Sequence, residues 1–443
     1  MTSGRSIACR LALGICSLFA TVSDCRGENW PQWRGPDHNG TSRETDIPVK
    51  WNATSGVTWR CELPLWGRST PAIWGNAIFL TSHVDDEKLV LVKIDKQTGK
   101  IAWQREVGKA AASRVPNLSK SNEDRGRQVI HKLQNLATPS PTVDADVVII
   151  HFGNGDLAAY DHEGGQLWHR NLQKDYGRYT IWWGHANSPI LYKDLVVSAC
   201  IQDSCRDLPI ERSQSYVVAH DKKTGQPRWR TIRATEAFGE PGDAYTTPLL
   251  WKNAGNDELL IAGALAVDGY DPATGRRLWF LEGLKGNRMV GGAVIADKTA
   301  YLAQGMRNPL IAVQLGNQGK RPESDILWHY DRGTPDSPTP VVWRDLLFFV
   351  SDNGIARCLD AKRGTLHWEQ RLKGDYLASP LAVDGHIYFV NTKGLTTVVD
   401  ASKTFKRLAE NNLDDEVVAM PIVSDGRLFI RGRKFLFCIG NPN

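Results

Sequence analysis

The chain has 443 residues, 41% hydrophobic and 23% charged, with a formal net charge of +5. This much apolar surface excludes disorder over most of the length. So small and unclustered a positive charge gives no basis for nucleic-acid binding, and the 40 glycines point to many turns.

The chain opens on an address. Arg5 and Arg10 precede an apolar run from Leu11 to Ala20. A basic head and a short apolar stretch read as a secretory signal peptide over residues 1–26, too short for a bilayer, which takes about 20 residues. Residues 27–50 are expected to be an N-terminal extension and 51–443 a single folded domain. The processed protein is expected to be periplasmic or extracellular, monomeric and without a transmembrane segment. Cys200 and Cys205 flank a short loop and are the candidate disulfide. With no Cys-x-x-Cys and dispersed histidines, no metal site is expected.

Self-similarity then dominates. Asp95, Thr98, Gly99 and Trp103 define Asp-x-x-Thr-Gly-x-x-x-Trp, which recurs at Asp221/Thr224/Gly225/Trp229 and Asp271/Thr274/Gly275/Trp279. Asp360/Gly364/Trp368 keeps the spacing, and Asp161/Gly165/Trp168 is one residue shorter. Asp400 has only Leu408 at the Trp position, and Trp328 has lost its Asp-Gly turn. The motif reads as a β-hairpin: Asp binds turn N–H groups, Gly supplies φ > 0, and the Trp lies on the return strand. Upstream, each unit starts at a small residue and Pro, as at Thr70-Pro71, Ser140-Pro141 and Ser379-Pro380. Four short strands per unit of about 40–50 residues predict a β-propeller. The last unit stops after three strands, while Val57 to Cys61 carries an orphan Trp59. The expectation is therefore an all-β, eight-bladed propeller of four-stranded antiparallel blades. Its ring closes by pairing the N-terminal strand with Phe435 to Cys438, which removes free edges. The repeated Trp residues are expected to pack on neighbouring blades.

The segment Ala219-His-Asp221-Lys-Lys-Thr224-Gly225-Gln-Pro-Arg-Trp229 resembles the tryptophan-docking hairpin of the quinoprotein-like (PQQ-like) β-propeller repeat family, and the resemblance covers nearly all of the mature chain. That family is similar on one side to quinone-dependent dehydrogenases and on the other to non-enzymatic BamB-type assembly propellers. A dehydrogenase would imply pyrroloquinoline quinone (PQQ) with Ca²⁺ on the axis, and a disulfide between adjacent cysteines above it. No Cys-Cys dipeptide occurs here and no matched Ca²⁺ set is recognisable. No cofactor is expected, and PQQ with Ca²⁺ is the alternative.

Propellers bind through variable loops on their faces. The long insertions are Gly108 to Leu136, Gln173 to Ala186, Gln202 to Gln214 and Arg233 to Tyr245. They are expected to converge on one face over blades one to four. Arg178, Tyr179, Trp182, Trp183 and His185 fall outside the repeat grammar, and Tyr245 should share their rim. They are the candidate ligand- or partner-binding residues, since aromatics and Arg are enriched at hot spots; a self-packed lid is the competing reading. No catalytic residue stands out. The functional expectation is an exported binding or assembly scaffold for an exported or envelope protein. A quinone oxidoreductase and a carbohydrate- or polymer-binding surface protein are the alternatives.

Overall fold

The computed structural model describes residues 1, 27–85, 87–110, 134–207, 214–305 and 307–440. The expected signal peptide, Cys25, and most of the Gly108 to Leu136 insertion lie outside the described residues, as does part of Gln202 to Gln214. The strands form eight blades of four antiparallel strands, each in simple up-and-down order from the axis outward; two sheets gain a fifth, two-residue strand, Asp243–Ala244 beside Leu195–Gln202 and Gly319–Lys320 parallel to Arg277–Glu282. Blade 1 holds Ala72–Trp74, Ala77–Val84, Lys88–Asp95 and Ile101–Lys109; the pattern repeats to blade 8. There Ile422–Ser424, Arg427–Arg431 and Phe435–Ile439 are completed by Val57–Glu62. That last pairing sets Trp59 opposite Cys438 and Cys61 opposite Leu436, closing the ring as the orphan strand predicted.

The repeat motif works as a joint between blades. Asp95 Oδ1 accepts from the Thr98 N–H (2.8 Å) and hydroxyl (2.8 Å), which holds the turn. The turn glycine then lies flat beneath the indole of the preceding blade. A Cβ on Gly225 would sit 2.6 Å from Trp168, and one on Gly275 would sit 2.4 Å from Trp229. Both glycines also have positive φ, so no other residue fits either demand. Each indole N–H donates to a turn carbonyl of the next blade: Trp59 to Lys96, Trp103 to His162, Trp168 to Lys222, Trp229 to Pro272, Trp328 to Ala361 and Trp368 to Ser402. Trp279 departs from the expectation. Blade 5 has no Asp-Gly turn to receive it, so its N–H turns back to Glu258 of its own blade while Arg321 of blade 5 covers the ring.

The small residue before each Pro has a matching role near the axis. The Thr70 N–H donates to Ser140 Oγ (2.9 Å), Ser140 to Ser188 (2.9 Å), Ser188 to Thr247 (3.1 Å), and Thr339 to Ser379 (2.9 Å). Where blade 5 has Gly292 and blade 8 has Met420, the hydroxyl is missing.

Residues 27–51 form a strap that is packed into the ring. The Trp30 backbone bridges the inner-strand residue Ile73 in both directions, and the Val143 N–H donates to Pro31 O. Arg34 is buried, donating to Asn39 O (2.8 Å), Pro340 O and Pro380 O (3.3 Å), and so ties blades 6 and 7. Beyond it, the Trp51 indole is buried against Tyr388 (6.4 Å), and the Trp51 backbone N–H donates to Asn411 Oδ1 (2.9 Å). That fills the edge of blade 7, where Leu408 offers no docking indole. Replacement of Trp51 by Ala is therefore expected to cost about 3–5 kcal/mol, as much as Trp168→Ala. Denaturant unfolding of both variants measures this, and a loss below about 1 kcal/mol for Trp51→Ala would show that the strap does not carry the joint.

Candidate functional site

Inner strands all run the same way, so connections between blades and turns between second and third strands share one face. The strap takes the other. Asn29 Oδ1 accepts from the Gly75 N–H (2.8 Å), and Glu44 from those of Asp425 (3.1 Å) and Gly426 (2.8 Å), all in first hairpins of their blades. From that side Trp33 reaches the axis. Above it a funnel of about 900 Å³ opens on the connector face. Trp33 is its floor, and its throat is the hydroxyl belt of Thr70, Ser140, Ser188, Thr247, Thr339 and Ser379. Trp183, Tyr245 and Tyr376 stand in the wall. The rim carries Arg68, Glu240, Arg288, Asp336, Asp352 and Asp375.

Rim charges are largely paired. Arg288 bridges Glu240 (2.6 Å) and Asp336 (3.0 Å) across adjacent connectors. Asp352 accepts from the Asp336 N–H (2.7 Å) and Ser337 N–H (3.1 Å), fixing the next connector. Arg68 stacks on Trp66 (4.6 Å), and burial lowers its pKa to about 10.

The predicted residues divide. Arg178 is exposed, and Trp182 and Trp183 are half-buried and stacked on each other (5.3 Å). The expectation of an exposed aromatic surface fails for Tyr179, His185 and Tyr245, which are buried in the core between blades 2 and 3. The reason is that their loop folds inward. Asp243 accepts from the Trp182 N–H (2.7 Å), Gln202 from the Thr180 N–H (2.9 Å), and Tyr245 Oη from the Trp183 N–H (3.3 Å). Trp183 and Tyr245 still reach the funnel wall. Cys200 and Cys205 are buried and are not joined. The strand stays extended to Gln202, carrying the chain about 7 Å past Cys200 before it turns.

The funnel also draws on the short-looped blades 6 to 8, through Asp352, Asp375, Lys393 and Glu416, which the loop-length argument passed over. Trp33 was missed too. The signal was available: two tryptophans and two prolines in Trp30-Pro31-Gln32-Trp33-Arg34-Gly35-Pro36, outside every repeat.

With this geometry in view, the comparisons with known proteins decide the family. A family model described as outer membrane protein assembly factor BamB matches residues 43–208 and 265–408, more than half of the chain. The chain belongs to this BamB family. Among solved structures, the family propeller is similar to BamB from Moraxella catarrhalis, at 16% identity and TM-score 0.59, covering 87% of this chain and 98% of that one. It is also similar to quinohemoprotein alcohol dehydrogenase from Comamonas testosteroni, at 14% identity and TM-score 0.65, covering 94% and 81%. A europium-containing methanol dehydrogenase gives 13% and 0.65, covering 91% and 89%. At these identities the likeness is one of fold. A comparison with curated proteins returns no match. Among the described residues no helix is long and apolar enough to cross a membrane.

Behind the funnel wall, buried histidines couple this region to pH. The His151 and His185 rings lie 4.4 Å apart, and Tyr179 stacks on His185 (5.0 Å). Burial lowers the His185 pKa to about 4 and that of His220 to about 4. Burial raises Asp243 to about 7, against the opposing N–H donors. The histidine contribution is fully present above their unfolded pKa of about 6.5 and is lost as pH falls toward 4. The Asp243 contribution has the opposite sign, present below about 4 and lost as pH rises toward 7. Thermal melting is expected to show His185→Gln flattening the fall between pH 6.5 and 4, a term of up to about 3 kcal/mol. Asp243→Asn should flatten the opposing trend. An unchanged pH slope in both variants would show that these groups do not titrate differently on folding.

Proposed function

We propose that the protein is an exported, non-enzymatic binding and assembly scaffold, with the connector face around the funnel as its recognition surface and an envelope protein as its partner. The observation that carries this reading is the asymmetry of the two faces. One is sealed by the strap, whereas the other opens a wide funnel of aromatic wall and ordered charged rim, the composition of a recognition site. Family membership supports the assembly role. The donor set does not fit PQQ held through Ca²⁺. None of the five described cysteines lines the funnel. Among the described residues no three His, Cys, Asp or Glu side chains gather as a metal centre requires. Glu240 and Asp336 are moreover committed to Arg288, and Glu416 to Arg433 (3.1 Å).

Photocrosslinking tests the proposal. A benzophenone amino acid at Arg178 or Asp375, on the connector face, is expected to give a discrete adduct with an envelope protein. The same probe at Lys362, in a turn of the opposite face, should give none. Trp183→Ala should weaken capture by about 2 kcal/mol, roughly thirtyfold. Equal adducts from both faces would contradict the assignment, as would alcohol-dependent dye reduction by purified protein supplied with PQQ and Ca²⁺.

A further inference from the structure

We propose that the funnel binds a neutral sugar ring, the terminal hexopyranose of a saccharide, laid on Trp33. This deepens the reading of the funnel as a recognition site and rests on it. Three independent features converge on that chemistry.

The first is the floor. Trp33 is half-buried, and its backbone is held from below by the Trp30–Ile73 bridge and by Gln32, whose amide donates to Gly35 O (3.2 Å) and meets His38 Nε2 (2.7 Å). An indole fixed before binding offers a flat apolar platform at little entropic cost. The apolar C–H face of a pyranose matches it.

The second is the throat. Ser140, Ser188, Thr247 and Ser379 each accept one backbone N–H with the hydroxyl oxygen. Among the described residues none of these hydroxyls has an acceptor for its own proton, and buried Thr339 Oγ1 has no partner at all. Bonds to the belt thus orient the oxygens and leave O–H donors around the throat. A ligand rich in hydroxyl oxygens satisfies them, whereas an apolar ligand would leave them unpaired.

The third is charge. The Glu240–Arg288–Asp336 bridge is closed on itself, and Glu416 is held by Arg433. Asp375 is exposed on the rim, and among the described residues its side chain has no partner. Against Arg68, Arg288 and Lys393 the funnel lining sets Glu240, Asp336, Asp352, Asp375 and Glu416, a formal excess of two negative charges that disfavours acidic saccharides and offers carboxylate acceptors to neutral hydroxyls. About 900 Å³ also leaves room for more than one ring.

The test is saturation-transfer NMR on the intact processed protein with maltotriose, cellotriose, N-acetylchitotriose and β-1,4-galactotriose, each up to about 10 mM, where a millimolar Kd is readily seen. At least one trisaccharide is expected to bind, with transfer strongest to the ring C–H protons of its terminal unit. Trp33→Ala should weaken it at least tenfold, and Trp33→Phe should retain most of it. Should Trp33→Ala fail to fold, Asp375→Trp decides. It narrows the mouth from an exposed position, and loss of binding with an unchanged Tm is expected. No binding of any trisaccharide overturns the proposal, and so does binding that survives Asp375→Trp or a folded Trp33→Ala. The scaffold reading fails separately: sugar binding without connector-face adducts removes the protein partner and leaves the sugar site. Adducts without sugar binding do the reverse.

Discussion

The structure depends on one contact repeated around a circle: an indole on the outer strand of one blade lying over the turn of the next. A turn glycine is what makes the approach close, since a Cβ at Gly99, Gly225, Gly275 or Gly364 would clash with its indole neighbour at 2.4–2.6 Å. Tryptophan suits the role because it buries a large apolar face and still spends its N–H on a turn carbonyl. The belt near the axis repeats the logic at smaller scale, with the N–H of Thr70, Ser140, Ser188 and Thr339 given to the next blade's hydroxyl. Ring closure makes the scheme cooperative, because a joint lost anywhere exposes two blade faces and strand edges.

The exceptions show how far the rule governs the fold. At the joint between blades 4 and 5 both devices fail, through the missing turn and Gly292, and the Arg321 segment covers Trp279 instead. At the joint between blades 7 and 8 both fail again, through Leu408 and Met420, and there the strap supplies Trp51, Ile47 and Val49. The same strap floors the funnel with Trp33. Stability and site therefore share one segment. Arg34 illustrates the cost, a guanidinium buried against three carbonyls and the Trp33 ring (6.0 Å), its pKa lowered by burial to about 9.

The ring was legible in the sequence because its joints are written as spacings: Asp, Gly and Trp at fixed intervals, small-residue–Pro slots, and an orphan Trp59 strand. The site was legible only in part. Trp183 and Tyr245 do reach the funnel, but Tyr179 and His185 do not, because aromatic content in a loop does not say which way the loop folds. That direction is set by distant acceptors such as Asp243 and Gln202. Cys200 and Cys205 failed as a pair for a similar reason, since proximity in sequence is undone by an extended strand. Trp33 escaped because the strap has no period, and a lone segment shows its destination only once the ring is closed around it.

The strap is an integral part of the ring, and so turns an open axial channel into a floored funnel. Hydrogen exchange over residues 28–42 tests it most directly. The amides of Trp30, Gly40 and Ser42 donate to Ile73, Arg34 and Ala382, so their peptides should be protected to the level of the inner strands and open only with global unfolding. Exchange of that segment within seconds, while blades 1, 7 and 8 remain protected, would make it a tail and would contradict the account.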